Sequence, residues 1–362
     1  MKYAIFCAFN PKNSGMYSVD LAARSFFSDR GFSFDLCVTQ GAAGLGDLRF
    51  RKIDDTKQLR DYGAIVFWGD FQNNPMWGRR YFPFQEIKHG RARSPEHAFN
   101  IWRDTYLRIH RVLPDSTRIH SIGGCFLGAH PYLDDPETAT AMHEFLERTD
   151  DIVVRDPESL QCLLDFRKAG ACDISLGFDV ASLLHPVAHR TPQGGDYFVY
   201  AFARTLNEAD GHCLAKAVGR VTGLRPVSID WLTSRWPRHF THRAFRRNLA
   251  LMRGAAFAIT DVYHFAINCM VQGTVPVCLS LRSNEDRGAL TEHKKELLYR
   301  MIECTALHIE VQSSSILPGE ECRLAERIAQ FFDSGANAGS YLATFERLRS
   351  RLSEQVSSLL RP

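Results

Sequence analysis

Short runs of Val, Ile, Phe and Ala recur along this chain, separated by longer mixed segments in which apolar residues return every three or four positions. A short continuous apolar run suits a strand covered on both faces, whereas the longer segments carry the period of a helix with one buried face. In the first half the runs predict strands at 3–8, 33–38, 64–68, 118–122, 152–155 and 173–176, with helices at 16–30, 98–113, 137–148 and 157–168. From 184 to 195 the pattern dissolves into LHPVAHRTPQGG, whose Pro, Gly, Thr and Gln are linker chemistry. A second series follows, with strands at 197–203, 225–230, 255–260, 275–281 and 306–311 and helices near 207–222, 243–253, 264–273 and 290–303. Strand followed by helix, repeated in both halves, predicts an α/β chain of two Rossmann-like domains, 1–188 and 195–362, each with a mainly parallel sheet. The tail, 320–360, reads as two amphipathic helices. The second of them could pack on its own domain or cross back to the first.

A length of 362 residues fits two domains, and 45% hydrophobic with 23% charged residues is the composition of a globular protein. The formal net charge of +3 gives no chain-wide field for nucleic acid or an anionic membrane, so any basic site must be local. The N-terminal run 1–6 is broken by Asn10, Pro11 and Lys12, too soon for a signal peptide or a membrane span. It reads as a first buried strand, and the expected location is the cytoplasm. Ten cysteines, at 7, 37, 125, 162, 172, 213, 269, 278, 304 and 322, form no CxxC pair and no close-set Cys/His group. Reduced core thiols are expected, and no metal.

Two segments carry a family likeness. Asp151-Ile152-Val153-Val154-Arg155-Asp156-Pro157-Glu158-Ser159-Leu160 is a strand ending in Arg-Asp that runs through a Ser into a helix, and AAFAITDVYHFAINCMVQGTVPVCL, 255–279, is a strand, a turn bearing His264, a small-residue helix and a strand opening at Pro276. Together they resemble the polysaccharide pyruvyl transferases. The resemblance implies a fold like that of the GT-B glycosyltransferases, with an interdomain cleft, the acceptor on the first domain and the donor on the second. It also implies transfer of a pyruvyl group from phosphoenolpyruvate, as co-substrate, to two hydroxyls of a sugar in a bacterial surface polysaccharide precursor, forming a ketal. The acceptor would be a lipid-linked or nucleotide-linked saccharide. No cofactor is implied. His264 falls on the family's catalytic His and Arg155 on its Arg. Where the family has Arg two residues before that His, this chain has Val262, and where it often has Lys after the Pro, this chain has Glu285. Arg282, Arg287 or Lys294 could replace that Lys. A glycosyltransferase or other sugar-modifying transferase using a different donor is the alternative.

The residues weigh as follows on their own chemistry. Arg155 ends a strand, the edge where open α/β sheets bind ligands, and its planar fork suits a carboxylate or phosphate or, equally, a neighbouring Asp. His264 opens a helix, where free N–H groups favour an anion and an imidazole can pass a proton. The run Arg235, Arg238, His239, His242, Arg243, Arg246 and Arg247 could hold a phosphorylated donor, with Arg243 and Arg247 as its candidates, or be a solvated face. Trp236 and Phe240 within it suit single-stranded nucleic acid, which the small net charge argues against. FWGDFQNNPMWGRRYFPF, 67–84, is expected to leave a strand and continue as an aromatic loop, offering Asp70, Trp77 and Arg79 to an acceptor sugar or packing on itself. Gly123 to Gly128 is expected as a tight turn lining the cleft, and Asn13-Ser14-Gly15 as a turn approaching the acceptor.

Overall fold

A computed structural model describes the chain except at 11, 40–42, 169–170, 188–194, 232–239, 282–289, 318, 334–337 and 362. The linker centre, Arg282, Arg287, Glu285, Arg235, Trp236, Arg238 and His239 lie outside the described residues.

The first lobe is built on a seven-stranded sheet. Its strands are β1 (Lys2–Phe6), β2 (Ser33–Val38), β5 (Arg51–Lys52), β6 (Ala64–Asp70), β7 (Arg118–Gly124), β8 (Asp151–Val154) and β9 (Asp173–Leu176), and a small hairpin, β3 (Gly44–Leu45) and β4 (Leu48–Arg49), precedes β5. The order is β5-β2-β1-β6-β7-β8-β9, parallel throughout. Its helices are α1 (Ser14–Asp29), α2 (Pro75–Arg80), α3 (Phe82–Lys88), α4 (Pro95–Tyr106), α5 (His130–Leu133), α6 (Pro136–Arg148) and α7 (Pro157–Phe166). The second lobe has a parallel five-stranded sheet, β11-β10-β12-β13-β14, made of β10 (Tyr197–Ala201), β11 (Arg225–Ser228), β12 (Ala258–Thr260), β13 (Pro276–Leu281) and β14 (His308–Val311). Helices α8 (Glu208–Thr222), α9 (Thr241–Gly254), α10 (Tyr263–Val271), α11 (Leu290–Met301), α12 (Glu320–Asp333) and α13 (Ala338–Leu359) complete the chain.

In both sheets the strand order reverses beside the first strand, between β1 and β6 and between β10 and β12. A reversal leaves a crevice past the carboxyl ends of the two strands, because the connections on either side depart to opposite faces. The lobes meet over these crevices. Helix α10 is buried at all nine residues, and α1 is buried at twelve positions that circle it. Asn268 of α10 donates to the Ser18 hydroxyl of α1 at 3.0 Å, and Ser14 N–H donates to the Trp231 carbonyl at 3.1 Å. Gly15 makes this approach possible, since a Cβ there would stand 2.7 Å from the His264 Cβ.

Helix α13 packs on the first lobe. Phe345 meets Phe178 edge-on, Gln355 donates to Ser175, Arg30 reaches Ser353 and Ser357, and Arg118 donates to the Leu359 and Arg361 carbonyls. Of the two packings open to the tail, this is the crossed one. The aromatic segment after β6 is not a loop. Asn74 caps α2 by accepting from Met76 N–H, Pro75 takes the first helical turn, and α3 follows at once. No helix among the described residues is long and apolar enough to cross a membrane.

Candidate active site

Each sheet delivers its functional side chains from the carboxyl ends of its strands. On the first lobe β6 ends at Asp70, held in the left-handed region with φ 57°, and β8 ends one residue before Arg155. The residues after Arg155 fix its direction. Asp156 caps α7 by accepting from Ser159 N–H at 2.7 Å, the Ser159 hydroxyl donates back to Asp156 at 2.9 Å, and Phe126 N–H donates to that hydroxyl at 2.8 Å. The Arg-Asp-Pro-x-Ser run is thus a capped helix start that ties the β7 and β8 ends together and leaves Arg155 pointing out of the sheet edge.

Arg155 is only 2% exposed. Its Nη1 lies 3.3 Å from the Asp179 carboxylate, and its plane lies over the rings of Phe71 at 5.2 Å and Tyr263 at 5.1 Å. Its Nη2 is buried with no hydrogen-bond partner among the described residues. From the second lobe, His264 on the first turn of α10 brings Nε2 to 3.5 Å from the same Asp179 oxygen, and that nitrogen is buried with no hydrogen-bond partner among the described residues. The other Asp179 oxygen accepts from Ala181 N–H at 2.9 Å. Burial alone would raise the Asp179 carboxyl, but His264, Arg155 and the Ala181 N–H outweigh it and hold it well below the usual carboxylate range. One carboxylate therefore joins Arg155 of the first lobe to His264 of the second.

Lys294 of α11 is half-buried and shares both rings, with Nζ 5.2 Å from the Tyr263 centroid and 5.9 Å from that of Phe71. Burial first, then the charge of Arg155, pushes its ammonium down to about 8, against the attraction of Asp70. Asp20 of α1 lies deeper, fully enclosed, accepting from Ala8 N–H at 3.0 Å with its second oxygen unpartnered among the described residues. Burial, with Asp70 adding to it, pushes its carboxyl up to about 8 against the pull of the Ala8 and Phe9 N–H groups. Burial also pushes the Cys125 thiol, beside Arg155, up to about 12, which leaves it a poor nucleophile.

A cleft of about 620 Å³ opens next to this cluster, between Leu127, Tyr132 and Glu158 of the first lobe and Leu281, His293 and Glu310 of the second. His293 spans it, with Nε2 2.7 Å from the Glu158 carboxylate. Arg155 and His264 do not line the cleft. Leu127 does, and it packs with Cys125, Leu297 and Phe71, the ring on which Arg155 lies, so the cluster forms the inner wall behind the cleft. Gly123 and Gly128, at φ 72° and 69°, turn the chain here, and Gly128 lines the opening. Among the described residues no group of three His, Cys, Asp or Glu is placed to hold a metal ion.

The residues singled out in the sequence divide cleanly. Arg155, His264, Lys294 and Asp70 gather in one place, and Asn13 caps α1 immediately before Gly15, which abuts His264. Trp77 and Arg79 do not join them. Trp77 packs edge-on against Phe82 and Tyr106, and Arg79 covers the Phe99 ring and pairs with Glu96 at 2.6 Å, because α2, α3 and α4 form a small bundle of their own. Arg243 and Arg247 lie on the exposed face of α9, while His242 on the same helix pairs with Asp47 and Tyr17 across the lobes. Arg282 and Arg287 lie outside the described residues. Asp179 and Tyr263 were missed. Asp179 carried one signal, a lone carboxylate in the apolar run Gly177-Phe178-Asp179-Val180-Ala181, which when buried calls for a cation, N–H donors or a proton to compensate it.

No protein-family model matches this sequence, and no curated protein is similar to it. Solved structures share its fold at low identity. One is a Listeria monocytogenes protein assigned as a UDP-N-acetylglucosamine 2-epimerase, with a TM-score of 0.51 and 10% identity, covering 99% of this chain and 96% of that one. Another is a UGT transferase from Siraitia grosvenorii solved with UDP, with a TM-score of 0.50 and 9% identity, covering 98% and 99%. The likeness shows the fold, two Rossmann-like domains of the GT-B type around a cleft.

Proposed function

We propose that this chain is a sugar-modifying transferase that takes a phosphorylated donor between its lobes. The observation that carries this reading is the convergence of Arg155, His264 and Lys294, from three elements of two domains, on one cluster in the wall behind the interlobe cleft. Cations gathered in a place screened from water suit a donor whose leaving group is anionic. Asp179 covers one edge of the Arg155 guanidinium, and Nη2, buried in the wall behind the cleft, is the edge a donor would meet as the lobes part to admit it. His264, held by Asp179, is the group that passes a proton. The fold neighbours assigned to UDP-sugar chemistry or solved with UDP support a nucleotide-sugar donor.

A narrower reading, pyruvyl transfer from phosphoenolpyruvate to a polysaccharide precursor, is favoured by one observation. Arg155 and His264, the two positions on which the resemblance to the pyruvyl transferases rests, lie far apart in sequence and meet at one carboxylate. In that chemistry His264 would protonate the enol carbon, while Arg155 and Lys294 would face the phosphate and carboxylate. Val262, buried behind His264, offers no anion contact.

A thermal-shift series with phosphoenolpyruvate, UDP and UDP-sugars separates the two, since a ligand of the folded state raises the melting temperature. If neither donor class moves it, both readings fail. With the true pair of substrates, His264→Ala should lower kcat by roughly 10²- to 10⁴-fold while the melting temperature stays near that of the parent. Near-normal turnover would remove His264 from the chemistry.

A further inference from the structure

The exposed apolar side chains are not scattered. Among the described residues eight large ones are exposed, and three fall within seven positions, Tyr81 at 54%, Phe84 at 66% and Ile87 at 41%. Tyr81 caps the start of α3, and Phe84 and Ile87 follow at three-residue steps along it, so the three share one outward face, while Phe82 and Pro83 turn inward. A protein surface rarely leaves such a ridge bare without a partner.

The charge around the ridge says which partner. Residues 79–93 carry Arg79, Arg80, Lys88, Arg91 and Arg93 against the single carboxylate of Glu86, in a chain whose formal net charge is only +3. Arg91 is taken by Glu86 and Arg79 by Glu96. Arg80, Lys88 and Arg93 are exposed, and no carboxylate among the described residues pairs with them. An apolar ridge of aromatic and aliphatic tips ringed by unpaired cations matches the boundary of an anionic bilayer, where rings enter the headgroup layer and Lys and Arg face lipid phosphate.

The ridge also adjoins the cleft. Arg80 lines the opening, and its guanidinium lies over the ring of Tyr132, which lines it too. We propose that the α2–α3 face, through Tyr81, Phe84 and Ile87 flanked by Arg80, Lys88 and Arg93, docks this protein on an anionic lipid surface and holds the mouth of its cleft against the membrane. The docking does not depend on which donor the site takes.

Flotation with vesicles tests it without any substrate. The protein should float with phosphatidylglycerol–phosphatidylcholine vesicles, remain unbound with pure phosphatidylcholine, and be released as salt is raised. The triple variant Arg80→Glu, Lys88→Glu, Arg93→Glu should weaken binding by on the order of 100-fold or more. Phe84→Ser with Ile87→Ser should weaken it by roughly tenfold or more. Both variants change exposed side chains, and an unchanged melting temperature checks that each is folded. Failure of the parent protein to float with the anionic vesicles would overturn the proposal, as would equal binding to both compositions or unaltered binding by the variants. So would a concentration-dependent dimer that Phe84→Ser dissolves, because the ridge would then be a contact between copies of this chain.

Discussion

Asp179 stands between Arg155 of one lobe and His264 of the other, and its removal should act on stability before it acts on anything else. In Asp179→Asn the buried Arg155 guanidinium loses its nearer counter-charge and keeps only Asp156 at 4.0 Å, so we expect a loss of about 3 kcal/mol in urea denaturation. Lys294 sets a pH dependence. Its ammonium titrates at about 8, below the ordinary lysine value, because burial and Arg155 disfavour the charged form. An anion bound beside it would favour that form, so donor affinity should be full below pH 8 and fall as pH rises through it. Lys294→Met should flatten this dependence in binding titrations, and an unchanged profile would place the anion elsewhere. The sign for folding is opposite. Between pH 8 and the ordinary lysine value the unfolded chain binds the extra proton, so this group's contribution to stability rises with pH across that window. Arg155 and His264 were legible because each follows a strand in a patterned segment. Asp179 was not, because what draws it into the cluster is two partners from distant parts of the chain.

At the scale of elements, the two series of strands and helices were readable because the central strands are apolar runs buried on both faces, the partly exposed edge strands β9 and β11 still stand between helices, and each long helix keeps its period. The strands β3, β4 and β5 were not, since two residues carry no period. Nor were α2 and α3, where Gly78, Tyr81 and Pro83 interrupt the pattern and the helices form only because Asn74, Pro75 and the ring cluster of Trp77, Phe82 and Tyr106 hold them. The approach of α1 to α10 depends on one missing side chain. Gly15→Ala would press its Cβ on His264, whose Cβ and Nδ1 would stand 2.7 and 2.9 Å away. We expect a loss of about 1–3 kcal/mol, read from the denaturant midpoint, with a fall in kcat as His264 is displaced. A variant as stable as its parent would mean that the lobes can part here without strain.

For the whole molecule, the lobes are two in sheet but not independent in core, since one apolar cluster runs from β1 and α1 through α10 into the second sheet. The return of α13 binds them further, burying Phe345, Leu352 and Val356 against the first lobe. Removing residues 338–361 should therefore expose the first lobe to proteolysis and abolish its cooperative melting, rather than trim a tail. A truncated chain that melts like the parent would show α13 to be dispensable. The same helix bears on how the protein is made. Tyr3 donates to the Leu360 carbonyl, and Arg118 closes on the same turn, so the face of β1 that carries Tyr3, a strand already paired on both edges with β2 and β6, is covered only when α13 folds back from the far side of the second lobe. Until α13 has been made, the first lobe keeps the apolar face around Tyr3 and Phe178 open, and that face is what a nascent-chain chaperone would meet.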